Sequence, residues 1–334
     1  MSMMTVAAAG SQDAKQEPKM RPMALSEPTR EKMRLMRKKI RQTWRIFKGN
    51  RTGMLGLIIL ASFLILAVFA PQIMTILSWI GGWSHGYDPF EVLGPEGQAT
   101  PPSSEHWLGT DRRGFDILAR TIYGTRVSLE VGLVATVVSM GLGSFVGLMS
   151  GFWGGWRDEV LMRITDVFLV IPWLVLMIVL ATLLPGGPSV GKVILVIGIT
   201  GWSSTARIVR AQVLSLKSRS FIERAKSIGA GDYYIVRKHI FPNVFPLVFA
   251  NSILTIALSI LSESTLSFIG LGPSPRLVVT WGNMLEDAVD AEAMFNGLYL
   301  WILVPGLCIV LIVLGFTFLG YALDEIFNPK LRKR

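Results

Sequence analysis

The feature that most constrains this chain is the recurrence of apolar runs long enough to cross a bilayer. A hydrocarbon core needs about 20 helical apolar residues. Six stretches qualify: roughly 53–74, 127–151, 159–184, 190–208, 244–268 and 298–322. Lys192, Trp202, Ser203, Ser204 and Thr205 dilute the fourth. With 51% of 334 residues apolar and 17% charged, a soluble enzyme built on one large core is excluded. The expected fold class is therefore all-α and integral to the membrane, with six transmembrane helices.

The formal net charge of +10 could suggest nucleic acid, but no zinc-finger or RNA-recognition motif accompanies it. The basic residues instead flank apolar spans, where a lipid membrane is the natural partner. From Arg30 to Arg51 there are ten basic residues and one acid, Glu31. The loop after the fifth run carries Glu286, Asp287, Asp290 and Glu292 against Arg276. By the positive-inside rule the amino terminus is cytoplasmic. Six crossings return Lys330, Arg332, Lys333 and Arg334 to the same side.

The chain then reads as a disordered tail over 1–29, a basic amphipathic helix over 30–51 and a first transmembrane helix over 53–74. An external loop region (75–125), a membrane domain (126–323) and a basic cytoplasmic tail (324–334) follow. In the amphipathic helix Met33, Met36, Ile40, Trp44 and Phe47 step by three or four residues. That spacing suits a helix lying in the interface, and a solvated charged helix is the alternative. The amino terminus lacks a short apolar segment with a small-residue cleavage site, so the first run is expected to stay in the membrane.

Several enzymatic patterns fail on inspection. Gly186 to Lys192 has the spacing GxxxxGK, but Val193 stands where Ser or Thr must hold magnesium. Ser189 to Lys192 also matches SxxK, without the SDN or KTG partners such enzymes need. His85, His106 and His239 are far apart and lack ligand spacing, so no metal is expected. Cys308 lies in an apolar run and reads as packing. Gly143, Gly147 and Gly151 recur every four residues, which suits close helix approach.

Ionisable residues inside spans are costly and invite a functional reading. Arg163 and Asp166, three apart in the third run, are placed to pair on one helix face. The pair would either orient helices or line a pathway. Glu263, between Ser262 and Ser264, could line a water-filled path or bond across helices.

The segment FIERAKSIGAGDYYIVRKHIFPN, Phe221 to Asn243, interrupts two apolar runs on the expected cytoplasmic side. It resembles the EAA loop of ABC importer permeases. Glu223, Ala225, Gly229 and Pro242 fall at matching positions, Arg224 replaces an Ala and Phe241 a Leu. Further blocks, in order, resemble the oligopeptide and dipeptide permeases of the OppC/DppC type. They are HWLGTDRRGFDILARTIYGTRVSL (106–129), GGWRDEVLMRITDVFLVIP (154–172), and ESTLSFIGLGPSP with WGNML (263–285), after the entry segment WRIFKGNRTGMLGLIIL. The likeness covers about residues 44–330, with one departure: Phe115 replaces the Arg usual in LGTDxxGRD.

This resemblance implies a type I ABC importer permease fold, with the transmembrane domain at 126–323 and the EAA loop at about 219–243. The loop would seat as a short coupling helix in a groove of a separate ATPase subunit. Ile222, Ala225 and Ile228 or Gly229 would give its apolar side, and Glu223, Arg224 and Lys226 charged contacts. Pro242 is expected to stop one helix before the fifth run begins. Implied partners are a homologous second permease, cytoplasmic ATP-binding subunits and an extracytoplasmic solute-binding protein. No cofactor belongs to this chain, ATP being bound by partner subunits. The implied cargo is a di- or oligopeptide, with nickel chelates or oligosaccharides as alternatives on the same scaffold. An ion-coupled secondary transporter or an intramembrane hydrolase would need, respectively, paired repeats or a nucleophile with its base, and the sequence offers neither.

Overall fold

The computed structural model describes residues 27–81, 88–93 and 98–327. Most of the expected tail, His85 and the basic residues beyond 327 lie outside them. Residues through Arg45 and from Ile46 onward form two separate units. Helix α1 (Glu27–Gly49) begins within the stretch expected to be disordered, and Leu35, Met36 and Trp44 on it are exposed.

From Asn50 onward, every regular element among the described residues is helical. The order is α2 (Arg51–Val68), α3 (Ala70–Gly81), α4 (Ile117–Trp153), α5 (Gly155–Val170), α6 (Trp173–Leu183) and α7 (Val190–Lys217). Then come α8 (Ser220–Ser227), α9 (Asp232–Ile235), a π-helical turn (Val236–Ile240), α10 (Phe241–Phe268), α11 (Trp281–Asp290) and α12 (Tyr299–Phe327). Local chemistry sets the starts. Asn50, Asp116 and Ser189 each accept a hydrogen bond from the N–H three residues on, as N-caps do. The GxxxxGK match is thus a helix start: Ser189 caps α7, and Lys192 Nζ donates to the Gly186 carbonyl at 3.1 Å.

Five helical stretches are long and apolar enough to cross a membrane: Arg51–Val68, Ile117–Trp153, Val190–Lys217, Asp232–Phe268 and Tyr299–Ile326. The third expected span is not one straight helix. It is the pair α5 and α6, bent by 98° at Ile171–Pro172. Pro172 has no N–H, and the residue before a proline is driven out of the α region; Ile171 lies at φ −71°, ψ 129°. Two other boundaries move as well. The first run breaks at Phe69, and the second helix begins at Ile117, inside the expected external loop.

Helices α4 and α7 pack along much of their length. A Cβ on Gly143 or Gly147 would lie 2.6 Å from the carbonyl oxygen of Trp202 or Ala206, and one on Gly151 would lie 2.8 Å from the Val213 Cβ. Only glycine permits that approach, so the four-residue stripe is a packing seam. A second core joins α2, α10, α11 and α12 around the buried Trp281 and Trp301.

Candidate coupling surface and pathway cavity

The segment singled out by sequence folds into two short helices joined by a tight turn. Helix α8 ends in a Schellman arrangement: Gly229 N–H donates to the Lys226 carbonyl at 2.9 Å, and Ala230 N–H to that of Ala225 at 3.0 Å. Gly229 sits at φ +83°, the left-handed region that makes glycine the fitting residue there. A Cβ on it would meet nothing within 4 Å. Its role within the chain is to end the helix, not to admit a neighbouring backbone.

The expected apolar face of α8 is divided. Ile222 and Ala225 are buried in this chain's own core with Phe152, Val213, Ile235 and Ile240. They anchor α8 to the ends of α4 and α7 and are not free for a partner. Ile228, by contrast, is 86% exposed, and Tyr233 and Tyr234 are exposed beside it in sequence. Glu223 and Arg224 are also exposed and form no ion pair among the described residues. Lys226 Nζ lies 5.8 Å from the centre of the Phe152 ring.

Pro242 does not stop a helix. The chain runs helically from Asp232 to Phe268, and the π turn absorbs the proline. Phe241 N–H reaches back to the Val236 carbonyl, and Asn243 Nδ2 donates to the His239 carbonyl at 2.6 Å. The wider turn thereby accommodates the N–H that proline lacks.

The charges within the spans are arranged differently from the expectation. Asp166 pairs with Arg207 of α7 at 2.5 Å, not with Arg163, which is exposed and makes no ion pair among the described residues. A second pair lies alongside: Asp158 of α5 accepts two bonds from Arg210 at 2.6 Å and one from Ser150 at 2.6 Å. Cross-helix partners displaced the i, i+3 pair because both acids face α7. Glu263 is 0% exposed and accepts from Ser267 at 2.8 Å and from Ser128 of α4 at 3.2 Å. It thus bonds across helices, from α10 to α4.

A charged cluster that sequence reasoning did not find lies where α4 begins. Arg120 Nη1 donates to Asp111 at 2.5 Å, and Nη2 to the Pro275 carbonyl at 2.8 Å. The Asp111 carboxylate also accepts from the N–H groups of Arg113 and Phe115 at 2.8 and 3.0 Å. Arg113 pairs with Asp287 of α11. The Phe115 ring lies 4.9 Å from the Arg120 guanidinium, so the residue departing from LGTDxxGRD covers that cation with an aromatic face. Burial pushes the Asp287 carboxyl above its ordinary range, and the Arg113 charge opposes it. Burial likewise raises Asp116, whose carboxylate receives the Ala119 N–H and meets His106 Nδ1 at 2.9 Å. Helix α11 itself carried a readable signal: Thr280 and Asn283 form a capping box.

A cavity of about 390 Å³ opens at the α5–α6 bend. Phe168 to Trp173 form one wall, and hydroxyls of α4, α7 and α10 the other.

A family model described as binding-protein-dependent transport system inner membrane component matches residues 143–333, and one for the N-terminal TM domain of oligopeptide transport permease C matches 39–91. The chain is 36% identical over 289 residues to the oligopeptide transport system permease protein OppC of Bacillus subtilis (strain 168), covering 86% of this chain and 88% of that one. It is 35% identical over 292 residues to the dipeptide transport system permease protein DppC of the same organism, covering 87% and 85%. It is 34% identical over 269 residues to the glutathione transport system permease protein GsiD of Pectobacterium atrosepticum, covering 80% and 87%. Among solved structures, a chain of the MetNI methionine ABC transporter in inward-facing conformations aligns with TM-score 0.49 and 18% identity, over 65% of this chain and 97% of that one. The sequence matches decide the matter: this multi-pass membrane chain belongs to the binding-protein-dependent transport system inner membrane component family, as a permease subunit of an ABC importer.

Proposed function

We propose that this permease subunit imports di- or oligopeptides. The observation that carries the reading is its identity of 36% and 35%, over 86% and 87% of its length, to permeases named for oligopeptide and dipeptide transport. The family's description, a binding-protein-dependent transport system, supports a delivering binding protein. In our reading the chain pairs with a homologous second permease, and cytoplasmic ATPases dock on α8 and the turn after it. Glu223, Arg224, Ile228 and the two exposed tyrosines form that docking face, while Ile222 and Ala225 transmit its displacement into α4 and α7. Gly229 shapes the turn that presents Ile228, and the π turn before Pro242 links the same face to α10. Arg163, left without an ion-pair partner among the described residues, remains a pathway candidate with Asp166.

The basic residues 30–51 favour a cytoplasmic amino terminus in the inner membrane. The chain performs no covalent chemistry; it conducts solute as ATP turns over elsewhere. Uptake into vesicles containing the complete importer tests the cargo. Labelled di- to pentapeptides are expected to accumulate with ATP and to compete with one another. Accumulation of a nickel chelate or an oligosaccharide, with no peptide uptake, would overturn the peptide reading while leaving the permease assignment intact.

A further inference from the structure

Helix α1 carries charge that its own sequence does not balance. Residues through Arg45 form a unit of their own, and among the described residues that unit contains this one helix. Arg34, Arg37, Lys38, Arg41 and Arg45 are all exposed and recur three or four residues apart. At 3.6 residues per turn they share one stripe, about 100° wide. No Asp or Glu occurs from Lys32 to Asn50. The like charges one turn apart, Arg34 with Lys38, Arg37 with Arg41 and Arg41 with Arg45, each oppose the helical state. A lone helix gains little stability without a surface to pack on, so a self-repelling one calls for an external layer of negative charge.

The side chains flanking the stripe identify that layer. Met36 is 60% and Trp44 45% exposed, and their register puts both on the strip that borders the cations. Leu35, on the opposite side, departs from this division. Apolar side chains beside long basic ones match the boundary between acyl chains and headgroups. Trp settles at that level, while Arg and Lys extend aliphatic stems so that their charges reach phosphate. Nucleic acid would neutralise the cations but leave Met36 and Trp44 in water. The chain's connectivity favours lipid too: Arg45 is six residues before Arg51, where the spanning helix α2 begins, so its backbone stays within about 9 Å of that start.

We propose that α1 is a docking surface for anionic phospholipid, with Arg34, Arg37, Lys38, Arg41 and Arg45 on headgroup phosphates and Met36 and Trp44 at the acyl boundary. The contact replaces mutual repulsion along the stripe with attraction to a negative surface potential. It goes beyond the cargo reading and is independent of it: this segment attaches firmly only to membranes that contain acidic lipid.

The test uses the complete importer in vesicles of phosphatidylcholine alone or of an equal mixture with phosphatidylglycerol. Both leaflets share one composition, so the result does not depend on which way the amino terminus faces. Met36→Cys, in a Cys308→Ser background, carries an environment-sensitive fluorophore. Mixed vesicles should shift its emission to the blue and expose it to quenchers on the lipid chains, and neutral vesicles should do so far less. Arg37→Gln, Arg41→Gln and Arg45→Gln, singly and combined, should weaken attachment in mixed vesicles by about fivefold per charge removed, read from the ratio of quenched to unquenched dye. Gln keeps the helix propensity of Arg, so such a loss reports charge and not unfolding of α1. High salt should act in the same direction. Equal quenching in neutral and mixed vesicles, or quenching unchanged in the combined Arg→Gln variant, would overturn the proposal. So would a dye that stays in water in both vesicles, or one buried only when ATPase subunits or added RNA are present, which would make the partner a protein or a nucleic acid instead.

Discussion

Two regions of this molecule carry charge in opposite ways. Around the start of α4, Asp111, Arg120 and Asp287 are buried, and Arg113 bridges from the loop to α11. Around α8, Glu223 and Arg224 are exposed, and an apolar side chain, Ile228, stands out beside them. The first arrangement locks a loop and a helix together, because each buried charge depends on its partner. The second holds its shape through an apolar underside and leaves its outer face open. One region is built to be complete within this chain; the other is built to be completed by something else.

That contrast predicts a gradient of mutational effects. The largest falls in the locked region. Arg120→Ala would strand the Asp111 carboxylate away from water, a loss of about 3–5 kcal/mol in buried pairs. Little folded protein should survive detergent extraction, and wild-type yield with an unchanged unfolding temperature would show that the cluster is not structural. A smaller effect concerns acid. Burial raises the folded-state pKa of Asp287 and Asp116 above 3.8, and of Glu286 above 4.5. The stability these groups contribute is full below those ordinary values and is lost as pH rises through the folded ones. Amide exchange in α11, corrected for intrinsic rates, should therefore slow or hold steady as pH falls from 7 toward 5. Faster corrected exchange would reverse the sign. The smallest effect belongs to Arg207→Ala. Its pair with Asp166 is 55% and 42% exposed, so the loss should stay below about 1 kcal/mol. A fall in melting temperature as large as that of Arg120→Ala would remove the distinction between locked and open charge.

Much of the fold could be read directly from hydropathy, because lipid enforces long helices. The points of failure were local. Ile171–Pro172 lies within a run apolar enough to hide a 98° bend, although the dipeptide itself is a break signal. Pro242 was given its ordinary role as a stop, and a π turn, which no side-chain pattern announces, carried the helix past it. The glycine stripe at 143, 147 and 151 was readable because a period of four on an apolar helix has one main use. Of the candidate residues, Glu223 and Arg224 proved exposed, whereas Ile222 and Ala225 turned inward. Helical spacing identifies a face but not which neighbour it meets. The Asp111–Arg120–Phe115 cluster escaped notice since its members converge through a loop and a distant helix, and only Thr280-x-x-Asn283 hinted at that helix.

The role given to the open region is tested most directly by ATP hydrolysis in vesicles containing the full importer with Ile228→Asp. Ile228 makes no contribution to the buried core, so the variant should insert and fold as the wild type does. If its exposed side chain seats in an ATPase groove, a charge there should weaken docking by roughly tenfold or more, as truncation of an interface anchor does. The stimulation of hydrolysis by loaded binding protein should then largely disappear. Full stimulation in a normally inserted Ile228→Asp complex would contradict the assignment and place coupling on another surface.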